Sequence, residues 1–238
     1  MKVAVLQSNY IPWKGYFDII HDVDRFIFYD DLQYTKNDWR SRNRIRTPEG
    51  TAWLTLPVGS DESRLVEEVR LPEHPSVMRK QIAAFRTNYA RAPYFSGVMP
   101  FLEDALLGRK WTRLSELNQY LIKAISREFL GIGTEFRDSH EFEKTGVKHE
   151  RLLTMLVSAG ATTYVSGPAA KDYIVAEDYE KAGIKLVWKD YSGYPEYRQL
   201  YPPFDHAVSI VDLLMNTGPD APWYIWGWRE EKKAQAGS

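Results

Sequence analysis

The fold is decided by Val3-Ala4-Val5-Leu6, Gln7-Ser8-Asn9-Tyr10-Ile11-Pro12, Trp13-Lys14-Gly15-Tyr16-Phe17-Asp18-Ile19-Ile20-His21 and Arg25-Phe26-Ile27-Phe28-Tyr29-Asp30-Asp31. Val3 to Leu6 is a short unbroken apolar run, the pattern of a strand covered on both faces. Residues 9–12 read as a loop ending in Pro12, which suits the start of a helix. From 13 to 21 the residues Trp13, Tyr16, Phe17 and Ile20 recur at helical spacing. Arg25 to Tyr29 reads as a second strand. Strand, helix and strand within about 30 residues predict a parallel βαβ unit with a right-handed crossover.

Working outward, residues 42–46 and 52–56 flank Thr47-Pro48-Glu49-Gly50 and predict a β-hairpin. Residues 75–130 predict three helical pieces, broken at Pro93 and Gly108, with Leu114, Leu117, Leu121 and Ile125 on one stripe. A strand is expected at 136–140 and a helix at 147–159, stopped by Gly160. Another strand is expected at 162–165, with Ser166-Gly167-Pro168 opening a helix, and a further strand at 184–188. Residues 190–206, rich in Tyr and Pro, read as a long aromatic loop, and 208–215 as a final helix. The expected fold is α/β: a mostly parallel Rossmann-like sheet with a β-hairpin and a helical insert. A single domain is expected over 1–229, with the insert at about 75–130 and a flexible tail at 230–238.

Composition removes several classes of function. The chain has no cysteine, which excludes a disulfide scaffold, a thiolate metal site and a thiol nucleophile. Its net charge is −1, without the basic excess of a general nucleic-acid binder. Apolar runs fall short of the roughly 7–15 residues of a signal peptide and the roughly 20 of a membrane span, so a cytoplasmic location is expected. The five histidines, His21, His74, His140, His149 and His206, show no metal-binding spacing, and no transition metal is expected. There is no phosphate-loop motif and no nucleophile elbow, and Gly131-Ile132-Gly133 lacks the third glycine of a dinucleotide fingerprint.

Ligands of open α/β sheets bind beyond the carboxyl ends of the strands. Three polar loops qualify: Gln7-Ser8-Asn9-Tyr10, Asp30-Asp31-Leu32-Gln33-Tyr34 and Ser166-Gly167-Pro168. Residues 36–46 carry five basic residues and one acid. On a hairpin, Arg40, Arg42, Arg44 and Arg46 would share a face able to grip phosphate or carboxylate. The alternative is a solvated face paired with Glu67 and Glu68. Ser166-Gly167, with Lys171 one turn later, offers a second anion site or a simple serine cap. Asp30, Asp31 and Asp212 are the candidate general bases. Asp212 interrupts an apolar helix, so it is either structural or part of a site.

The blocks at 3–18, Tyr29-Asp30-Asp31-Leu32-Gln33-Tyr34, Trp39-Arg40-Ser41-Arg42-Asn43-Arg44-Ile45, 164–173, Tyr197-Arg198-Gln199 and 209–218 together resemble the WbqC-like family. That family is linked to bacterial surface-polysaccharide gene clusters, and its members are thought to attach an amino acid such as glycine to an amino sugar. Residues 3–20 also resemble the first strand–loop–helix of the nucleotidyltransferase and pantothenate-synthetase superfamily. Trp13-Lys14-Gly15-Tyr16 stands there in place of an H-x-G-H motif, both histidines being absent. That likeness implies ATP with magnesium as a cofactor and adenylation of a carboxylate. The partners the first resemblance implies are a nucleotide-linked amino sugar and a small acyl or amino-acid donor, with neither membrane nor nucleic acid expected. On this reading Lys14, Arg40, Arg42 and Arg44 bind phosphate, Tyr10, Gln33 and Tyr34 contact sugar or base, and Gln7, Asn9, Lys36 and Asn43 also bind the substrate or nucleotide. Ser166, Gly167 and Lys171 form the second anion site, and Asp30, Asp31 or Asp212 handles the proton. The alternatives are transfer from a thioester carrier without ATP, and a non-enzymatic nucleotide- or nucleic-acid-binding module.

Overall fold

The computed structural model describes residues 1–236. Its elements in chain order are β1 (Lys2–Leu6), α1 (Lys14–His21), β2 (Arg25–Phe28), β3 (Arg42–Thr47), β4 (Gly50–Thr55), α2 (Ser76–Tyr89), α3 (Phe95–Leu107), α4 (Leu114–Ala124), β5 (Glu135–Asp138), α5 (Lys148–Ser158), β6 (Thr163–Ser166), α6 (Ala176–Lys181), β7 (Lys185–Trp188), α7 (Ile210–Thr217) and α8 (Trp228–Ala236). Five strands pair in parallel in the order β5-β2-β1-β6-β7. The antiparallel β3–β4 hairpin is a separate sheet, turned over Pro48-Glu49 with Thr47 opposite Gly50.

The continuous apolar strands are explained by what covers them. Side chains alternate between faces along a strand. Val3, Val5, Ile27, Tyr29 and Tyr164 therefore pack with Leu152, Met155 and Leu156 of α5 and Tyr179 of α6. Ala4, Phe26, Phe28 and Val165 pack on the opposite side with α1, the three helices α2–α4 and α7. The stripe Leu114, Leu117, Leu121 and Ile125 is fully buried there. Gly160, at φ +70°, ends α5 in a conformation that a side chain would strain.

Differences from the sequence reading are local. The strand expected at 136–140 stops at Asp138, whose carboxylate accepts the His140 N–H and turns the chain into a short 3₁₀ helix, Ser139–Glu141. Ser166 ends β6 rather than capping a helix, and Gly167 precedes the 3₁₀ helix Pro168–Asp172. The helix after 208 is not the last. Ser209 caps α7 by accepting from the Val211 N–H, and the chain continues through two short turns into α8. Residues 230–236 of the expected tail are thus helical, and Arg229 in that helix pairs with buried Asp18; 237–238 lie outside the described residues. Along the sheet the chain leaves β1 toward β2 on one side and reaches β6 on the other, so the order switches at the β1/β6 boundary.

Candidate functional site

A cleft of about 1080 Å³ opens beyond the carboxyl ends of β1, β2 and β6, at that switch point. Its floor is the end of β1 with Gln7 and Asn9. One wall holds Trp13 and Tyr16 from the start of α1, with Tyr191 edge-on to Trp13 at 5.3 Å between centroids. The other wall holds Tyr29, Tyr164, Tyr173 and Leu152. Residues 146–148 and 166–170 form the rim, and Arg40, Lys148 and Arg151 supply charge. Among the described residues that line it, none is Asp, Glu or His. The start of α5 is not a bare anion site, because the Glu150 carboxylate lies against Gly146.

Two local features shape this cleft. Gly15 is required because the position a Cβ would take lies 2.3 Å from the Trp13 ring, so glycine lets the indole fold down along α1. Ile11 adopts φ +37°, a strained conformation for a β-branched residue. The buried Asn43 amide holds it there, donating to the Tyr10 and Ile11 carbonyls at 3.0 and 2.9 Å. Asn43 thus positions the loop that carries Gln7 and Asn9 instead of facing the cleft.

Of the residues expected in the site, Gln7, Asn9, Arg40, Ser166 and Gly167 line the cleft. The others are not gathered there. Tyr10 is fully buried with its hydroxyl toward Gln81, and Tyr34 shares a hydrogen bond with Ser41 at 3.0 Å. Gln33 donates to the Glu62 carbonyl, and Lys36 pairs with Glu62 at 3.6 Å. Lys171 lies over the Trp188 ring.

Lys14 is the clearest correction. It points away from the cleft into a cage of Tyr194, Tyr197 and Phe204, with Nζ 4.8, 5.4 and 6.0 Å from their centroids. Only 3% of it is exposed. Burial brings its pKa down to about 8 against the raising influence of Asp18, Asp212 and Glu196.

The candidate carboxylates are also committed elsewhere. Asp30 accepts from the Ser8 N–H at 2.7 Å and from Gln119 at 3.0 Å. Burial raises its pKa, against these hydrogen bonds. Asp31 accepts from Ser139, Lys144 and Arg151 at 2.5–2.6 Å. Burial pushes it upward, but the bonds from Lys144 and Ser139 and the two cations outweigh burial and leave it below the ordinary value. Asp212 accepts from Tyr89, Tyr197 and Gln199 at 2.7–2.9 Å, and burial raises its pKa. It is internal structure, tying α7 to α2 and the aromatic loop.

The arginine row is split. Arg40 pairs with Asp38 and lines the cleft. Arg46 is buried and donates to the Tyr201 and Pro203 carbonyls. Arg42 and Arg44 lie over Trp53 and Trp39. Neither Glu67 nor Glu68 pairs with them: Glu67 meets His140, and Glu68 caps the Leu65 N–H. The cleft residues that sequence reasoning missed are Trp13, Tyr16, Tyr29, Lys148, Arg151, Tyr173 and Tyr191. Tyr29 carried a signal, being the last residue of the second predicted strand; Arg151 carried none, since its partner Asp31 lies 120 residues away.

No solved structure matches the chain. An uncharacterized protein of Mycobacterium tuberculosis (strain ATCC 25618 / H37Rv), Rv1507c, is 44% identical over 226 residues, covering 94% of this chain and 97% of the relative. The model of the WbqC-like protein family matches residues 7–224, which include both walls of the cleft and the α7 aspartate. With a parallel α/β sheet and a matched segment of that length, the chain belongs to the WbqC-like protein family.

Proposed function

We propose that this protein is an enzyme that joins a small acyl or aminoacyl group, such as glycyl, to the amine of a nucleotide-linked sugar used in bacterial surface polysaccharide. The observation that carries the reading is the cleft: two aromatic walls and three cations, of which Arg40 and Arg151 also pair with Asp38 and Asp31 behind them, with no Asp or Glu among the described lining residues, over the switch point of a parallel sheet. Aromatic side chains with polar tips suit sugar rings. Arg40, Lys148 and Arg151 suit a diphosphate, which a lining carboxylate would repel. Membership of the WbqC-like family supports an enzymatic role.

In this proposal the amine nitrogen attacks the acyl carbon, the bond to the activating group breaks, and the amine proton leaves to solvent. Asp30 and Asp212 are held by internal partners and are assigned no proton, while Asp31 acts only by orienting the cleft residue Arg151. The cleft contributes orientation, by fixing the sugar between Trp13 and Tyr173 and its diphosphate on the three cations. Activation by ATP with magnesium and delivery from a thioester carrier are the two routes to the acyl donor. Among the described residues that line the cleft none is a carboxylate, so the cleft itself offers magnesium no carboxylate ligand. The same reading places the chain in the cytoplasm; among the described residues no helix is long and apolar enough to cross a membrane.

Thermal unfolding against UDP-, dTDP- and GDP-sugars, ATP with magnesium, acyl-CoA and a short oligonucleotide tests it. A ligand at about 100 times its Kd adds roughly 2.7 kcal/mol, a rise of roughly 5–10 °C for this length. A rise with a nucleotide amino sugar, followed by a mass gain on that sugar when donor is added, is the expected result. A rise with the oligonucleotide alone overturns the enzyme reading.

A further inference from the structure

Trp39 and Trp53 are 41% and 46% exposed, with ring centroids 5.3 Å apart. Single exposed aromatics are ordinary, but an adjoining pair flanked by arginines is not. The Arg42 guanidinium lies 4.1 Å from the Trp53 centroid, and Arg44 stands 5.8–5.9 Å from both rings. Among the described residues the Arg42 guanidinium makes no hydrogen bond or ion pair, and the one ion pair of Arg44, to Asp205, spans 4.0 Å. The Nε atoms of both arginines are buried without a partner, and neither indole N–H makes a hydrogen bond among the described residues. The patch therefore combines aromatic faces with planar guanidinium cations, of which only Arg44 has an ion-pair partner among the described residues.

Its position adds the second half of the argument. Arg40 lines the cleft, and Trp39 adjoins it in sequence. Arg42 follows two residues later, at most about 7 Å along an extended chain. Along the chain the cleft residue Arg40 thus stands between platform residues, and a ligand with a charged middle and a ring at each end could reach from one to the other. We propose that the Trp39–Trp53–Arg42–Arg44 platform binds the nucleobase and adjoining phosphate of a nucleoside diphosphate whose sugar occupies the cleft. This rests on the function proposed above and divides its substrate: base outside on tryptophan, sugar inside among tyrosines. Stacking on aromatic faces tolerates any base, so the platform selects for a nucleotide rather than for one base. The guanidinium edges grip phosphate bidentately, a geometry lysine cannot supply.

Titration calorimetry on the full chain with UDP, GDP, inorganic diphosphate and UDP-glucosamine tests the division. Trp53→Ala should weaken UDP, GDP and UDP-glucosamine alike by about five- to 150-fold, the equivalent of about 1–3 kcal/mol for stacking one base. It should leave inorganic diphosphate unaffected. Arg42→Lys should weaken all four, and Tyr173→Ala should weaken UDP-glucosamine alone. Circular dichroism checks the fold, and if Trp53→Ala is unstable, Trp39→Ala and Arg42→Lys carry the same comparison. Unchanged UDP affinity in the platform variants, with Tyr173→Ala weakening UDP, places the base in the cleft. That result overturns this inference while the proposed function stands. If no nucleotide or nucleotide sugar binds the wild type, both fall. Binding of a single-stranded oligonucleotide alone, lost in Trp53→Ala, would make the platform a nucleic-acid surface and would likewise overturn it.

Discussion

The Asn43 side-chain amide donates to the Ile11 carbonyl at 2.9 Å while Ile11 holds φ +37°. One buried amide on β3 therefore keeps the loop after β1 in a conformation its own residues disfavour. Asn43→Ala would leave the Tyr10 and Ile11 carbonyls without that donor, at about 2–3 kcal/mol. The expected fall in Tm is roughly 4–12 °C. Because Gln7 and Asn9 ride on this loop, affinity for a nucleotide amino sugar should fall further than the loss of folded protein explains. A variant that is less stable but binds with unchanged affinity would separate Asn43 from the cleft.

Asp30 and Asp31 are neighbours with opposite electrostatics, which mutation can separate. Asp31 is 5% exposed and meets two cations. Asp31→Asn leaves Lys144 and Arg151 facing each other uncompensated, and should cost about 3 kcal/mol in denaturant unfolding at pH 7. The Asp31 pKa lies below its unfolded value, so its contribution is present above about pH 4 and is lost as pH falls through the folded value. Acid unfolding of Asp31→Asn should therefore be shallower than that of the wild type. The Asp30 pKa is raised by burial, so its contribution is best at low pH and is lost as pH rises through the folded value. Asp30→Asn keeps an acceptor for the Ser8 N–H and should stay within about 1 kcal/mol of the wild type at pH 7. A severe loss there would show that the charge, rather than the hydrogen bonds, matters.

Lys14 gives a test on the alkaline side. Its folded pKa, about 8, lies below the ordinary lysine value of 10.5. The folded chain thus binds fewer protons than the unfolded one between those values, and stability rises with pH across that window. The rise attributable to Lys14 is at most about 3 kcal/mol. Lys14→Met fills the same cage without a charge, so it should be more stable than the wild type at pH 7 and the difference should shrink toward pH 10. Chemical denaturation at pH 7, 8.5 and 10 measures both. An unchanged difference across that range would show that the aromatic cage, not proton loss, accommodates the charge.

The legible part of this protein was the part written in short-range periodicity. Val3–Leu6 and Arg25–Phe28 read as strands because both faces are apolar, and the helices from 76 to 124 broke near the expected residues. The cleft's place followed from the topology those elements force. Side-chain direction was less legible. Lys14 and Asp18 are four apart and share one face of α1, while Trp13 lines the cleft, so the period itself separates them. Pairings across the fold were not legible at all. Asp31 with Arg151, Asp18 with Arg229 and Lys14 with Tyr194 join residues 120 to 211 positions apart, or 180 for the lysine cage. No local pattern marks such partners, and they decide which charges are structural.

The arginine row supplies the last test, since one run of sequence was divided by the fold into different tasks. Arg46 is 3% exposed and donates to the Tyr201 and Pro203 carbonyls of the aromatic loop, while its own N–H meets the Tyr89 hydroxyl. Arg46→Gln is too short to reach both carbonyls and leaves buried acceptors unmet, so it should cost about 2–4 kcal/mol. Arg40 instead sits half-buried at the cleft with one side-chain partner, Asp38. Arg40→Gln should cost less than about 1 kcal/mol, yet weaken a nucleotide sugar by tenfold or more by removing a phosphate donor. Unfolding and binding measured side by side should give opposite rankings for the two variants. If both lose stability equally and binding equally, the division of the row is wrong, and Arg40 is another structural tie like Arg46.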